Sequence, residues 1–313
     1  MIDYGAPPAL DEIEVMLFGP GYGEAIAVHL GDGAWMLIDS CIDPDGNNPA
    51  SELYLDRIGV KPEKVRAIVA SHWHDDHVRG ISQLATKYPT ADFMVSAIFN
   101  NKEALAFLSA YNSESSSGLA KGSKELYSVI SSRENVFPVM HKSIVIDDIF
   151  NKKAVRVTAL SPVPKAFGQN LAHFAQYLPK RGESINHAPE IHPNLESIVL
   201  HIDLGDDAIL LGSDLEEHGN LGWTAVIADK WSGNRKPATA YKIAHHGSIS
   251  GDNPQIWTTL LQKNPVSCIT PWTLAGNRLP TNKDQLRIKK NTSHAYIASV
   301  ASRNPKLETN QPT

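Results

Sequence analysis

Four side chains able to bind a divalent cation fall within six residues of this sequence, in the run His72-Trp73-His74-Asp75-Asp76-His77. A solvated turn needs no histidines, and a buried one would have to satisfy three imidazoles at once. Neutral imidazole and carboxylate are ligands that zinc favours, and mixed His/Asp sets also suit manganese or iron. In a loop, His72 and His74 can face one ion while Asp76 and His77 turn toward a second. The chemistry this implies is hydrolysis, because water held by two dications has its pKa lowered toward about 7. Asp76 can both ligate and orient that water. No Ser/His/Asp nucleophile arrangement competes, and the glycines at 19–23 lack the helix that a dinucleotide fingerprint needs.

The elements that must position this run read as α/β. Residues 13–18, 25–30 and 34–38 alternate or run apolar, and Gly31-Asp32-Gly33 supplies a tight turn, so an antiparallel meander is expected. A short helix at 51–58, with Ser51 as its N-cap, leads to a buried strand at 65–70 that ends directly in Ser71-His72. Loops at strand ends are where such folds keep their chemistry. The helical patterns at 102–108 and 124–130 predict a helical insertion over about 100–150. Further strands are expected at 155–160, 197–204, 208–211 and 241–244. Residues 164–193 read as an irregular loop over the site, with room for a short helix at 171–177, and about 289–313 reads as a polar tail.

Composition bounds the rest. The chain has 313 residues, 42% hydrophobic and 20% charged, with a formal net charge of −5. One large domain over 1–313 is expected rather than two. The charge gives no bulk signature for nucleic acid, though a local basic groove stays open. Two cysteines, Cys41 and Cys268, make no disulfide framework. The first eight residues lack a basic segment and an apolar core, and no apolar run approaches the roughly 20 residues that span a membrane. The expectation is a cytoplasmic protein with no membrane association.

The stretch Ser71 to Gly80 resembles the H-x-H-x-D-H signature of the metallo-β-lactamase superfamily, and Leu37-Ile38-Asp39-Ser40 resembles its strand-end "LID" element. The resemblance implies a four-layer αββα sandwich, with Asp39 orienting a metal histidine without touching the metal. Gly212-Ser213-Asp214 resembles the element whose aspartate bridges the two ions. Ala244-His245-His246-Gly247-Ser248 resembles the final-histidine motif of a subset that includes the hydrolase domain of bacterial DNA-uptake channel proteins and related phosphoesterases. The Gly21-Tyr22-Gly23-Glu24 turn and the Asn194 to Leu200 segment extend that likeness to roughly residues 13–280. By resemblance, one of His245 and His246 completes the second ion and the other faces substrate. His192, or Asn194 in its place, matches the position of the remaining ligand of the first ion.

The metal set is therefore His72, His74, Asp76, His77, His192, Asp214, His245 and His246, holding two divalent ions, with zinc first and manganese or iron as alternatives. Asp76, His245 and His246 are the expected catalytic residues. Lys242, Ser248, Asn277 and Arg278 are candidates for the substrate, with Arg79 near the entrance. The leading reading is hydrolysis of a phosphoester or phosphodiester, in a nucleotide, a nucleic acid or a small molecule. Hydrolysis of a lactone, β-lactam, thioester or other acyl substrate is the alternative, and a non-catalytic metal-binding protein of the same fold is a third. Where the DNA-uptake subset has Asn-x-x-His-Pro, this chain reads Asn277-Arg278-Leu279-Pro280, and with that histidine missing the resemblance does not carry over that subset's particular substrate.

Overall fold

The computed structural model describes residues 5–19, 23–44, 46–102, 104–106, 121–176 and 193–298. The opening meander is β1 (Glu14–Phe18), β2 (Ala25–Gly31) and β3 (Ala34–Ile38), all antiparallel. The chain then crosses through α1 (Ala50–Arg57) to β4 (Val65–Ala70), through α2 (Asp75–Val78) and α3 (Ile81–Lys87) to β5 (Asp92–Ser96), and through α4 (Lys121–Ser132) to β6 (Val136–Val139). Strands β3 to β6 run parallel, and the sheet order is β1-β2-β3-β4-β5-β6.

The second sheet begins with β7 (Ile144–Phe150) and β8 (Lys153–Ala159). After α5 (Pro164–Gln176) come β9 (Leu200–Asp203), β10 (Ala208–Leu211), α6 (Trp223–Ala228), α7 (Lys230–Gly233), β11 (Ala238–Lys242) and β12 (Leu261–Ile269). A separate hairpin, β13 (Trp272–Leu274) with β14 (Asn277–Leu279), precedes α8 (Asn282–Lys289) and β15 (Ala295–Ile297). The sheet order is β15-β12-β11-β10-β9-β8-β7.

Strand alternation divides the apolar residues into three cores, as a four-layer αββα sandwich requires. In β2, Ile26, Val28 and Leu30 face the second sheet and meet Val157, Leu200 and Ile202 there. Ala27, Ile68 and Phe93 face outward, against Leu55 of α1, Leu84 of α3 and Leu126 of α4. On the other side Ala208, Leu210 and Tyr241 pack against Trp223, Val226 and Ile288. At about 25 cal/mol per Å² of apolar surface, these faces supply the main drive for folding.

Four expectations need correction. The 100–150 stretch is helical only in part, because β6 and β7 occupy its last third. Pro138 in β6 and the Asp147-Asp148 pair in β7 obscure the strand pattern, yet both strands lie at sheet edges, where proline and charge are tolerated. Residues 164–176 form a helix of thirteen residues instead of irregular loop. Pro49 takes the N-cap of α1, and Ser51 lies buried inside that helix. Within the expected polar tail, β15 pairs in parallel with β12.

Two connections brace the loops on which the site is built. Glu125 of α4 accepts hydrogen bonds from the Gly80 N–H at 3.0 Å and the Ser82 hydroxyl at 2.9 Å. It thereby caps α3, just after the His72–His77 run. Glu196, in the 3-10 turn Pro193–Glu196, accepts from the Ser96 hydroxyl at the end of β5 (2.7 Å) and from the Asn170 amide of α5 (2.9 Å). Burial pushes the Glu196 carboxyl up to about 7, against the two hydrogen bonds.

Candidate metal centre

Each donor of the site leaves the C-terminal end of a strand. β3 ends at Asp39, which adopts φ +61°, a conformation rare for a residue other than glycine. Its carboxylate accepts three hydrogen bonds: from the Ser71 N–H (2.7 Å), from the Ser71 hydroxyl (2.7 Å) and from His77 Nδ1 (2.8 Å). Asp39 thus fixes the end of β4 and leaves His77 Nε2 free to face inward. The Ser71 hydroxyl also meets His72 Nδ1 at 3.0 Å, which turns His72 Nε2 inward, 3.2 Å from His74 Nδ1. The His72 and His77 rings lie 4.3 Å apart between centroids.

The second sheet contributes from β10 and β11. A Cβ at Gly212 would sit 2.9 Å from the Ala244 nitrogen, so only glycine lets the two strand exits come this close. Ser213 follows at φ +46°, and His245 and His246 take φ +46° and +51°. Strained backbone of this kind persists where the surroundings over-determine it. Here the His245 N–H donates to the Ser213 carbonyl at 2.9 Å, joining the two turns. His246 Nδ1 bonds the Thr270 carbonyl at 2.9 Å, and its Nε2 lies 3.4 Å from Asp214 and 3.5 Å from Asp76. His77 Nε2 lies 3.2 Å from Asp214.

One donor atom from each of Asp76, His77, Asp214 and His246 therefore falls within 4.8 Å of the other three. His77 Nε2 and His246 Nε2, which face Asp214 Oδ2, are buried without a hydrogen bond among the described residues, as is Asp214 Oδ1 on the side of Lys242. Buried polar atoms seldom go unpaired, and atoms aimed at one another in this way fit a cation between them. Charge agrees. Burial disfavours the His77 imidazolium, but Asp214, Asp76 and Asp39 outweigh it and hold the ring well above its ordinary range. Against the same burial, Asp214, Asp76 and Glu24 push His246 up to about 9. Burial opposes ionisation of Asp76 and Asp214, yet His77 and His246 hold both below the usual carboxylate range. A divalent cation would supply the positive charge that these protons supply. His72 and His74 differ, for burial lowers both and leaves neutral rings suited to ligation.

The two histidines of the final motif separate. His246 is buried within the cluster, whereas His245 lies outside the four-donor group and bonds Ser250 at 2.8 Å and Glu216 at 3.1 Å. His245 instead lines a cavity of about 310 Å³ with His74, Asp75, Asp76, Asp214, His246, Trp272, Leu274 and Leu279. A groove of about 420 Å³ between α3 and α4 holds none of the donors. His192 lies outside the described residues, and Asn194 is buried with its side-chain oxygen unpaired.

Lys242 corrects a substrate assignment, because its side chain is 1% exposed. It sits 2.5 Å from Glu24 and 4.0 Å from Asp214, and donates to the Ser213 carbonyl at 3.2 Å. Ser248 accepts from the Ser250 N–H and serves the local turn. Asn277 and Arg278 are exposed on β14 and do not line the cavity, and Arg79 sits 4.0 Å from Asp75. Sequence reasoning had noticed Glu24 only as part of a turn, and had missed Thr270, Glu216 and Trp272. No local spacing connects these residues to the donors.

Residues 18–148 match the family model described as the metallo-beta-lactamase superfamily. No curated protein matches the sequence. Among solved structures, the chain is similar to MEM-A1, a subclass B3 metallo-beta-lactamase from a soil metagenome library. The identity is 15%, over 79% of this chain and 84% of that one, with a TM-score of 0.39. It is also similar to a metallo-beta-lactamase from Cronobacter sakazakii, with 15% identity over 78% and 80% and a TM-score of 0.41. A putative metallo-beta-lactamase from Thermotoga maritima shares 16% identity over 64% and 78%, with a TM-score of 0.35. The matched region holds β2 to β6 and the whole His72–His77 run, and the described fold is a sandwich with its donors at the strand ends. The segment that carries the His72–His77 run therefore matches the metallo-β-lactamase superfamily, over 131 of the 313 residues (18–148).

Proposed function

We propose that the chain is a metal-dependent hydrolase of the metallo-β-lactamase superfamily that cleaves small phosphoesters, phosphodiesters foremost, at a pair of divalent cations, with zinc the first candidate. His72 and His74 would hold one ion, Asp76, His77 and His246 the other, and Asp214 would lie between them. When bound, such ions polarise the scissile group and activate water for attack. The observation that carries the reading is the charge balance of the buried bed. Glu24, Asp39, Asp76 and Asp214 are four buried carboxylates, and among the described residues Lys242 is the one lysine in contact with them. Two dications would turn this deficit into a small positive excess, which suits a reacting group that is already an anion and gains charge. The likeness of Ala244 to Ser248 to related phosphoesterases points the same way.

The chain's own residues divide the work. Asp39, through His77 Nδ1, and Thr270, through His246 Nδ1, set which ring nitrogen faces the site. Asp76, ionised and at the cavity wall, orients the attacking water. His245, held at Nδ1 by Glu216 and Ser250, lines the same wall and is placed to return a proton to the leaving oxygen. The deciding experiment pairs metal analysis with kcat/KM on a p-nitrophenyl phosphodiester, a lactone and a β-lactam. Two metal equivalents with the phosphodiester fastest is the expected result. Acyl hydrolysis faster by about tenfold, a barrier difference of about 1.4 kcal/mol, would reassign the substrate.

A further inference from the structure

The wall of the cavity opposite the acidic donors is apolar. Hairpin β13–β14 pairs Trp272 with Leu279 and Leu274 with Asn277. Because side chains alternate along a strand, Trp272, Leu274 and Leu279 share one face while Thr273 and Arg278 take the other. The first three residues line the cavity, and Arg278 does not. The Trp272 ring stacks at 29° to the His246 ring, 6.4 Å between centroids, so the apolar wall begins at the donor cluster. Leu274 is 47% exposed beside it. Among the described residues no lysine or arginine lines this cavity, since Lys242 is buried against Glu24 and Arg79 is turned to Asp75.

Both features bear on the substrate. Recognition of a polynucleotide or polyphosphate draws most of its affinity from Lys and Arg at the phosphates, and the described residues of the cavity supply none. An apolar face of one aromatic and two leucine side chains favours a flat or branched hydrocarbon group. A cavity of about 310 Å³ admits a group of about phenyl size beside the reacting ester. We propose that the substrate is a small ester carrying an aryl or compact alkyl substituent, which seats on Trp272, Leu274 and Leu279. This rests on the hydrolytic reading above and assigns the hairpin as its specificity element.

The test is calorimetric binding to the metal-loaded protein, using phenylphosphonate against methylphosphonate and phenylacetate against acetate. The phenyl member of a pair should bind about tenfold tighter, the order expected from burying roughly half of an aromatic ring. Trp272→Ala should bring that ratio close to one without changing metal content, and Thr273→Ala, on the opposite face, should preserve it. A ratio near one in the native protein, a ratio unchanged by Trp272→Ala, or binding by neither pair overturns the inference. Tighter binding of a single-stranded oligonucleotide than of phenylphosphonate also overturns it. If only the carboxylate pair binds, with the phenyl preference intact, the phosphoester reading fails and the apolar seat stands.

Discussion

Replacing Glu196 with glutamine should stabilise this protein in mild alkali and do almost nothing in acid. Glu196 is buried between the Ser96 hydroxyl and the Asn170 amide, with no cation in hydrogen-bond contact among the described residues. Burial pushes its carboxyl from 4.5 to about 7. A folded-state pKa above the unfolded one means that the folded chain holds this proton more tightly. The stability it contributes is complete below pH 4.5 and is lost as the pH climbs from 4.5 to about 7. The gap of about 2.5 pH units, at about 1.4 kcal/mol each, amounts to a loss of about 3 kcal/mol by pH 8. Glutamine has the same shape, stays neutral, and offers both an acceptor and a donor to partners that can rotate or flip. Urea denaturation of both proteins at matched metal load, from pH 5 to pH 8, isolates this residue because other titrations cancel in the difference. The variant's advantage should grow from below about 1 kcal/mol to about 3 kcal/mol. A difference that stays flat across that range would refute the assignment of Glu196 as a carboxyl kept neutral by burial.

Other substitutions test the centre itself. Asp214→Ala should abolish hydrolysis and lower metal content at both positions by elemental analysis, and a variant retaining both equivalents would make Asp214 an ordinary turn residue. His246→Ala should cost about one metal equivalent, whereas His245→Ala should keep both and lose turnover by roughly 10²-fold or more; the opposite pattern would exchange their roles. Lys242→Met leaves Glu24 buried without its ammonium and should destabilise the fold by about 3 kcal/mol in urea. Adding Glu24→Gln should recover most of that loss, and a double variant no better than the single would show that the pair is not coupled.

The His72–His77 run was legible because its chemistry is local, and the meander before it because β1 to β3 are joined by tight turns. Asp39 was legible as a strand-end residue, though its three hydrogen bonds appear only in three dimensions. The choice between His245 and His246 was not readable. Strand alternation says nothing about two consecutive residues at positive φ, and the turn at 245–247 is set by contacts with Ser213 and Thr270. Glu24 and Lys242 stand far apart in sequence, so their ion pair leaves no spacing to detect. Strands β6 and β7 were hidden by Pro138 and Asp147-Asp148, residues that mark an edge only once the sheet is known.

The donors come from loops on two different sheets, with more than half of the chain between Asp76 and His246. During synthesis, the His72–His77 run leaves the ribosome long before Asp214 and His246 exist, and until then it is only a weak chelator. With the proposed pair of cations, full affinity would arrive only when the second sheet closes on the first. Metal capture would then be a late event in the life of each molecule. In a refolding experiment, the moment of tight metal uptake would time the docking of the two halves, with the ion as its own reporter.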